Sequence, residues 1–166
     1  MNEQTLAHLH ETQQRWDKQQ RFINYDRALD PRRTLARAVE RDVRDRLALQ
    51  GHAVSGTSHT CNYDLLADGI RVEVKAARWD GQRYEANLRS NVADILILAC
   101  ISSIPNSLFY FVIPFGQVAG KTVIKITSHD PRDYIGQWMS YYNAWDIIDD
   151  LVRAGRNPWQ PVLIGA

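Results

Sequence analysis

The stretch NYDLLADGIRVEVKAA, residues 62–77, decides how this chain folds. Asp68-Gly69 is a two-residue hairpin signal, because a type I′ turn needs positive φ at both central positions. With those two residues as the loop, Ala67 faces Ile70, Leu66 faces Arg71 and Leu65 faces Val72. The same register continued puts Asp64 across from Glu73 and Asn62 across from Lys75. Side chains alternate between the two faces of a strand. Tyr63, Leu65, Ala67, Ile70, Val72 and Val74 therefore form a core face, and Asn62, Asp64, Leu66, Arg71, Glu73 and Lys75 form the other. Directly opposed Cβ atoms stand about 4.5–5.5 Å apart, and like charges there repel.

A divalent cation removes that conflict. Mg²⁺ takes hard oxygen ligands, often one or two carboxylates completed by water and phosphate. Asp64, Glu73 and the carbonyl of Val74 are the expected metal ligands, with Mn²⁺ as a substitute for Mg²⁺. Such a cation acidifies a bound water and stabilises charge on a phosphate under attack. An ammonium beside it, Lys75, orients the water or stabilises the developing charge. These parts suit phosphodiester hydrolysis. The plain alternative is the wet face of an amphipathic hairpin, with Lys75 bridging Glu73.

Outward from the hairpin, Asp30-Pro31 is a helix-start signal. A helix is expected from there to about Gln50, with Gly51 as its stop. Leu35, Val39, Val43 and Leu47 form one apolar stripe on it. Glu40 lies about 20° beyond Leu47 and about 60° from Val43 around the axis, at the boundary of core and surface. Residues 3–25 read as a helix or arm, so the expected organisation is an N-terminal helical arm over 1–30 and a single domain over 31–166 that carries a C-terminal helix. After about residue 53 the apolar period shortens to two. Candidate strands are Cys61–Ala67, Ile70–Ala76, Arg83–Leu88, Ile95–Ile101, Phe109–Ile113 and Thr122–Ile126. A last helix is expected over Arg132–Ala154, where Tyr134, Trp138, Tyr141, Trp145, Ile148 and Val152 repeat at helical spacing. Helix, strands, helix makes an α+β fold with a mixed, mainly antiparallel central sheet flanked by helices.

Composition narrows the classes. Of the 166 residues 45% are hydrophobic and 23% charged, ordinary values for a globular chain. No apolar run approaches the ~20 residues of a membrane span. No secretory signal is legible, and Cys61 and Cys100 make neither a disulfide framework nor a metal cluster, so a cytoplasmic setting is expected. There is no phosphate-binding loop or dinucleotide motif, hence no nucleotide cofactor is expected. The net charge of +1 does not by itself announce a nucleic-acid binder. Residues 1–50 nevertheless hold half of the lysines and arginines. Arg71, Arg78, Arg83, Arg89 and Lys121, on or after the strands, are candidates for phosphate contact with DNA.

The order of these pieces resembles the PD-(D/E)xK nuclease superfamily, which includes restriction endonucleases, junction resolvases and some intron-encoded homing endonucleases. Its first carboxylate matches Asp64 in CNYDLLADG, its (D/E)xK element matches Glu73-Val74-Lys75, and Glu40 in LARAVERDVRDRL holds the place of a helical glutamate. Gly51–Val54, Tyr63–Leu65, Val74–Arg78, Tyr84, Asp94–Leu98 and Phe111–Pro114 follow the order of small members of that group, over roughly residues 33–127. Tyr63 stands where the motif has proline, and a second hairpin at Trp79-Asp80-Gly81 replaces an immediate long helix. The resemblance implies a restriction-endonuclease-like core and a Mg²⁺-dependent endodeoxyribonuclease of homing, restriction or junction-resolving type. Asp64, Glu73, Lys75 and Glu40 would be its catalytic residues, DNA its partner, and a homodimer or higher homo-oligomer its form. The alternative is a catalytically inactive nuclease fold serving as a DNA-binding or assembly subunit.

Overall fold

The computed structural model describes Gln14 and residues 31–57, 61–89, 92–102 and 108–155. The arm expected over 1–30 lies outside the described residues apart from Gln14, as does the tail after residue 155. Helix α1 spans Pro31–Leu49. Val39, Val43 and Leu47 are fully buried along its stripe, each worth about 1.5–3 kcal/mol relative to exposure. Its end has the double backbone closure of a glycine-terminated helix: His52 N–H donates to Leu47 O and Gly51 N–H to Ala48 O, both 3.0 Å, with Gly51 at φ 93°.

Strands β1 (Val54–Gly56), β2 (Leu65–Ala67), β3 (Ile70–Arg78), β5 (Ile95–Ile101) and β6 (Leu108–Pro114) form one sheet in the order β1-β2-β3-β5-β6. The β3–β5 pair is parallel and its other pairs are antiparallel. Strands β4 (Tyr84–Asn87) and β7 (Val123–Ile126) form a separate antiparallel ribbon. This is the expected α+β architecture with a mixed sheet. The three-residue β1 was not among the expected strands, being too short to show alternation.

Strand β5 is buried on both sides, as its unbroken apolar run requires. Ile95, Ile97 and Ala99 join α1 and β3 in one core, whereas Leu96, Leu98 and Cys100 join Tyr84, Ile124, Ile126 and Trp138 in the other. The sheet is thus sandwiched between helices and the β4–β7 ribbon. His52 ties the helical side together. Its Nδ1 is 2.8 Å from Asp68 Oδ2 at the hairpin turn, and its Nε2 lies 2.9 Å from Asp149 Oδ1, out of line for a hydrogen bond.

The single helix expected over Arg132–Ala154 is not formed. Short 3-10 turns at Pro131–Asp133 and Met139–Tyr141 precede a helix, α2, of only Asp146–Arg153. The aromatic stripe serves two cores rather than one. Tyr134 and Trp138 pack on the ribbon side, and Trp145 and Ile148 on the α1 side. The chain must pass around the β6 edge between them, where Tyr142 bridges Phe111 and Asn143 N–H donates to Tyr110 O at 2.8 Å. Gly136, where a Cβ would strike the Tyr134 ring, and Asn143, at φ 53°, mark the breaks.

Candidate active site

The hairpin turn forms as its residues dictate: Asp68 has φ 47° and Gly69 φ 84°. Pairing runs Ala67–Ile70, Leu66–Arg71 and Leu65–Val72, in the expected register. It then stops. Asp64 N–H donates to Val72 O at 2.9 Å, so Asp64 and Leu65 both face Val72 in a bulge. The expected ladder pairs Asp64–Glu73 and Asn62–Lys75 are therefore not formed. Instead the Asp64 side chain does a ladder carbonyl's work, its Oδ2 accepting from Val74 N–H at 2.8 Å. Thr57 pins this departure through its hydroxyl, which donates to Tyr63 O at 2.6 Å and lies 3.2 Å from Asp64 O.

Because β2 ends at Leu65 while β3 runs on to Arg78, the far half of β3 has an open edge. A cleft of about 840 Å³ lies along it. Glu40 with Leu35 and Ala36 forms one wall, Asp64 and Val74 to Arg78 the floor, and Glu85 to Asn87 of β4 the opposite wall. A strand residue sends its N–H and C=O to the same side. The Val74 carbonyl therefore leaves β3 by the edge that its N–H uses toward Asp64. Glu73, 8% exposed, is not among the residues lining the cleft, and it meets the cleft through Lys75, whose Nζ is 2.5 Å from its Oε1.

Burial pushes the Glu40 carboxyl above its ordinary value, and the charge of Asp64 pushes it the same way. Arg37 and Arg44 act against this and Glu73 with it. Glu40, Asp64 and Glu73 thus share one electrostatic neighbourhood with Arg37, Arg44 and Lys75. Carboxylates offer the hard oxygen donors that suit a small divalent cation. Among the described residues no three His, Cys, Asp or Glu side chains gather closely enough to cage a metal. The fit is to an ion that keeps much of its water.

The basic candidates divide. Arg78 lines the cleft. Arg71 is committed elsewhere: its guanidinium makes paired bonds of 3.0 and 2.9 Å to buried Asp94, whose Oδ2 also accepts from Arg71 N–H. Arg83 Nε donates to Glu85 Oε2 at 2.7 Å. Lys121 lies 5.8 Å above the Trp138 ring, away from the cleft, and Arg89 is exposed just beyond β4. Glu85 and Asn87 were missed as site residues. The signal was present in Tyr84-Glu85-Ala86-Asn87, whose alternation leaves the two polar residues outward once Tyr84 and Ala86 are buried.

No family model matches the chain, and no curated protein matches it. The architecture is a homing-endonuclease-like α+β fold. It is similar to the solved structure of a bacterial homing endonuclease, I-Ssp6803I, with a TM-score of 0.60 and 20% identity over 72% of this chain and 93% of that one. Among the described residues, no helix is long and apolar enough to cross a membrane.

Proposed function

We propose that this protein is a metal-dependent DNA endonuclease that hydrolyses phosphodiester bonds in the cleft along β3. The observation that carries the reading is the open edge of that strand, where Asp64, Val74 and Lys75 meet Glu40. The fold shared with a homing endonuclease supports it. Asp64, Glu73 and the Val74 carbonyl would hold Mg²⁺, or Mn²⁺ in its place. Bound there, the ion would acidify water and stabilise charge on the scissile phosphate. Asp64 is positioned for this by Val74 N–H, which fixes one carboxylate oxygen. Glu73 anchors the Lys75 ammonium, and Lys75 in turn orients the attacking water. Glu40, whose carboxyl holds a proton more readily than usual, accepts a proton from water at the cleft wall. Arg78 neutralises a neighbouring phosphate. One such site cuts one strand, so double-strand cleavage favours a symmetric homo-oligomer.

The test is cleavage of supercoiled plasmid, linear duplex and a four-way junction with Mg²⁺, with EDTA, and by Lys75→Ala. We expect metal-dependent cutting that falls about 10²–10³-fold in the variant, the range for loss of one charge-stabilising donor. Duplex binding without any cutting would replace this reading by the inactive DNA-binding subunit. Neither binding nor cutting would end both.

A further inference from the structure

The β4–β7 ribbon has one face packed into the fold and one turned outward. Tyr84, Ala86, Ile124 and Ile126 are each no more than 5% exposed and hold the ribbon to the sheet. Glu85, Asn87 and Lys125 point away from that core and are exposed. Among the described residues the Asn87 amide holds no side-chain hydrogen bond. Two outward positions, Glu85 and Asn87, also form a wall of the cleft that contains Asp64 and Lys75. Whatever polymer enters that cleft lies against the ribbon.

We propose that this outward face is a base-reading surface, set in the major groove of duplex DNA, with Asn87 contacting a base edge. The polymer's identity rests on the nuclease reading above. The dimensions suit the assignment. The major groove, about 12 Å wide, admits a two-stranded ribbon. Successive outward residues of a strand are about 6.8 Å apart, the rise of two base-pair steps. A carboxamide pairs with the adenine edge through one donor and one acceptor. Arg83 and Lys125 flank Glu85 at 2.7 and 3.7 Å, so the acidic side chain is balanced. Lys125, directly across from Glu85 in the ribbon, takes a phosphate.

The experiment selects bound molecules from a random duplex library in EDTA, using the full chain, Asn87→Ala, Asn87→Asp and Lys125→Ala, followed by salt titration of binding. The unsubstituted chain should enrich a motif. Asn87→Ala should lose about 5- to 150-fold discrimination at one position while binding unselected duplex as before. Asn87→Asp, nearly the same in shape but without the donor, should prefer a different base there. Lys125→Ala should weaken all sequences alike and lower the salt slope by about one. If the Asn87 variants enrich the unchanged motif, the ribbon does not read bases, even though metal-dependent cleavage is intact. Enrichment of no motif by the unsubstituted chain overturns the proposal in the same way. Absence of both binding and cutting would remove the nuclease reading itself.

Discussion

Two groups of buried or half-buried charges flank β3, and they are built on opposite terms. At its beginning, Arg71 and Asp94 neutralise each other through paired bonds, and backbone N–H groups complete the set: Arg71 N–H to the Asp94 carboxylate and Asp94 N–H to Arg71 O at 2.8 Å. Farther along, Lys75 lies 2.5 Å from Glu73, and the charges of Asp64 and Glu73 add to burial in raising the Glu40 pKa. The first group is a closed account of charge and hydrogen bonds that fixes where β3 meets β5. In the second, Lys75 answers Glu73, while half-buried Glu40 is disfavoured as an anion. Matched buried charge holds a fold, and a perturbed carboxyl in a cleft marks a candidate site.

The largest test of this contrast is Asp94→Ala. It leaves the Arg71 guanidinium, 16% exposed, without its counter-charge, and should cost about 3–5 kcal/mol in urea denaturation. A loss below about 1 kcal/mol would erase the difference between the two groups. Next is cation binding. MgCl₂ at about 100 times its dissociation constant should stabilise the protein by about 2.7 kcal/mol, and Asp64→Asn should abolish that gain in calorimetry. A metal-induced shift of equal size in the variant would move the ion away from Asp64.

Smaller still is the effect of Glu40→Gln without metal. A carboxyl whose folded pKa lies above 4.5 binds its proton better folded than unfolded, so its stability falls as pH rises through that window. The variant should therefore have the higher thermal midpoint at neutral pH, and the gap should close below about pH 4.5. A gap independent of pH would contradict the electrostatic cause. Asp68 supplies the opposite sign and the smallest effect. Its carboxyl is held below its ordinary value by the hydrogen bond with His52 and by Ala53 N–H. Its contribution is present above about pH 4 and lost as pH falls through the lowered pKa. Asp68→Asn should be slightly less stable near neutrality and equal to the parent in acid.

What could be read from the sequence follows from how local each signal is. The β2–β3 register needs only Asp68-Gly69 and strict alternation, and both act over a dozen residues. The bulge at Asp64 is decided by a side chain replacing a backbone acceptor, and no pattern announces that. Residues 132–154 misled because spacing counts apolar residues without saying which core receives them. Trp138 and Trp145 lie in different cores, so a helical period described two contacts rather than one face. For the candidate site, Glu40, Asp64, Val74 and Lys75 were named from sequence and share the cleft. Glu85 and Asn87, which line it too, were passed over because Arg83–Leu88 was read only as a strand. Arg71 could not be told from the other arginines, since its partner Asp94 lies 23 positions away.

The parallel pairing of β3 with β5 has a further consequence. Parallel neighbours cannot be joined by a tight turn, so the chain must leave the sheet after Arg78 and return at Ile95. That detour contains β4 and is clamped at both ends, by the Trp79–Tyr84 bridge where it departs and by the Arg71–Asp94 pair where it rejoins. Its tip at Asp80–Gln82 and the outward positions of β4 are exposed. On the proposed reading, the layout gives inheritance two separate registers, one for a scissile chemistry that must not drift and one for a target that can be exchanged.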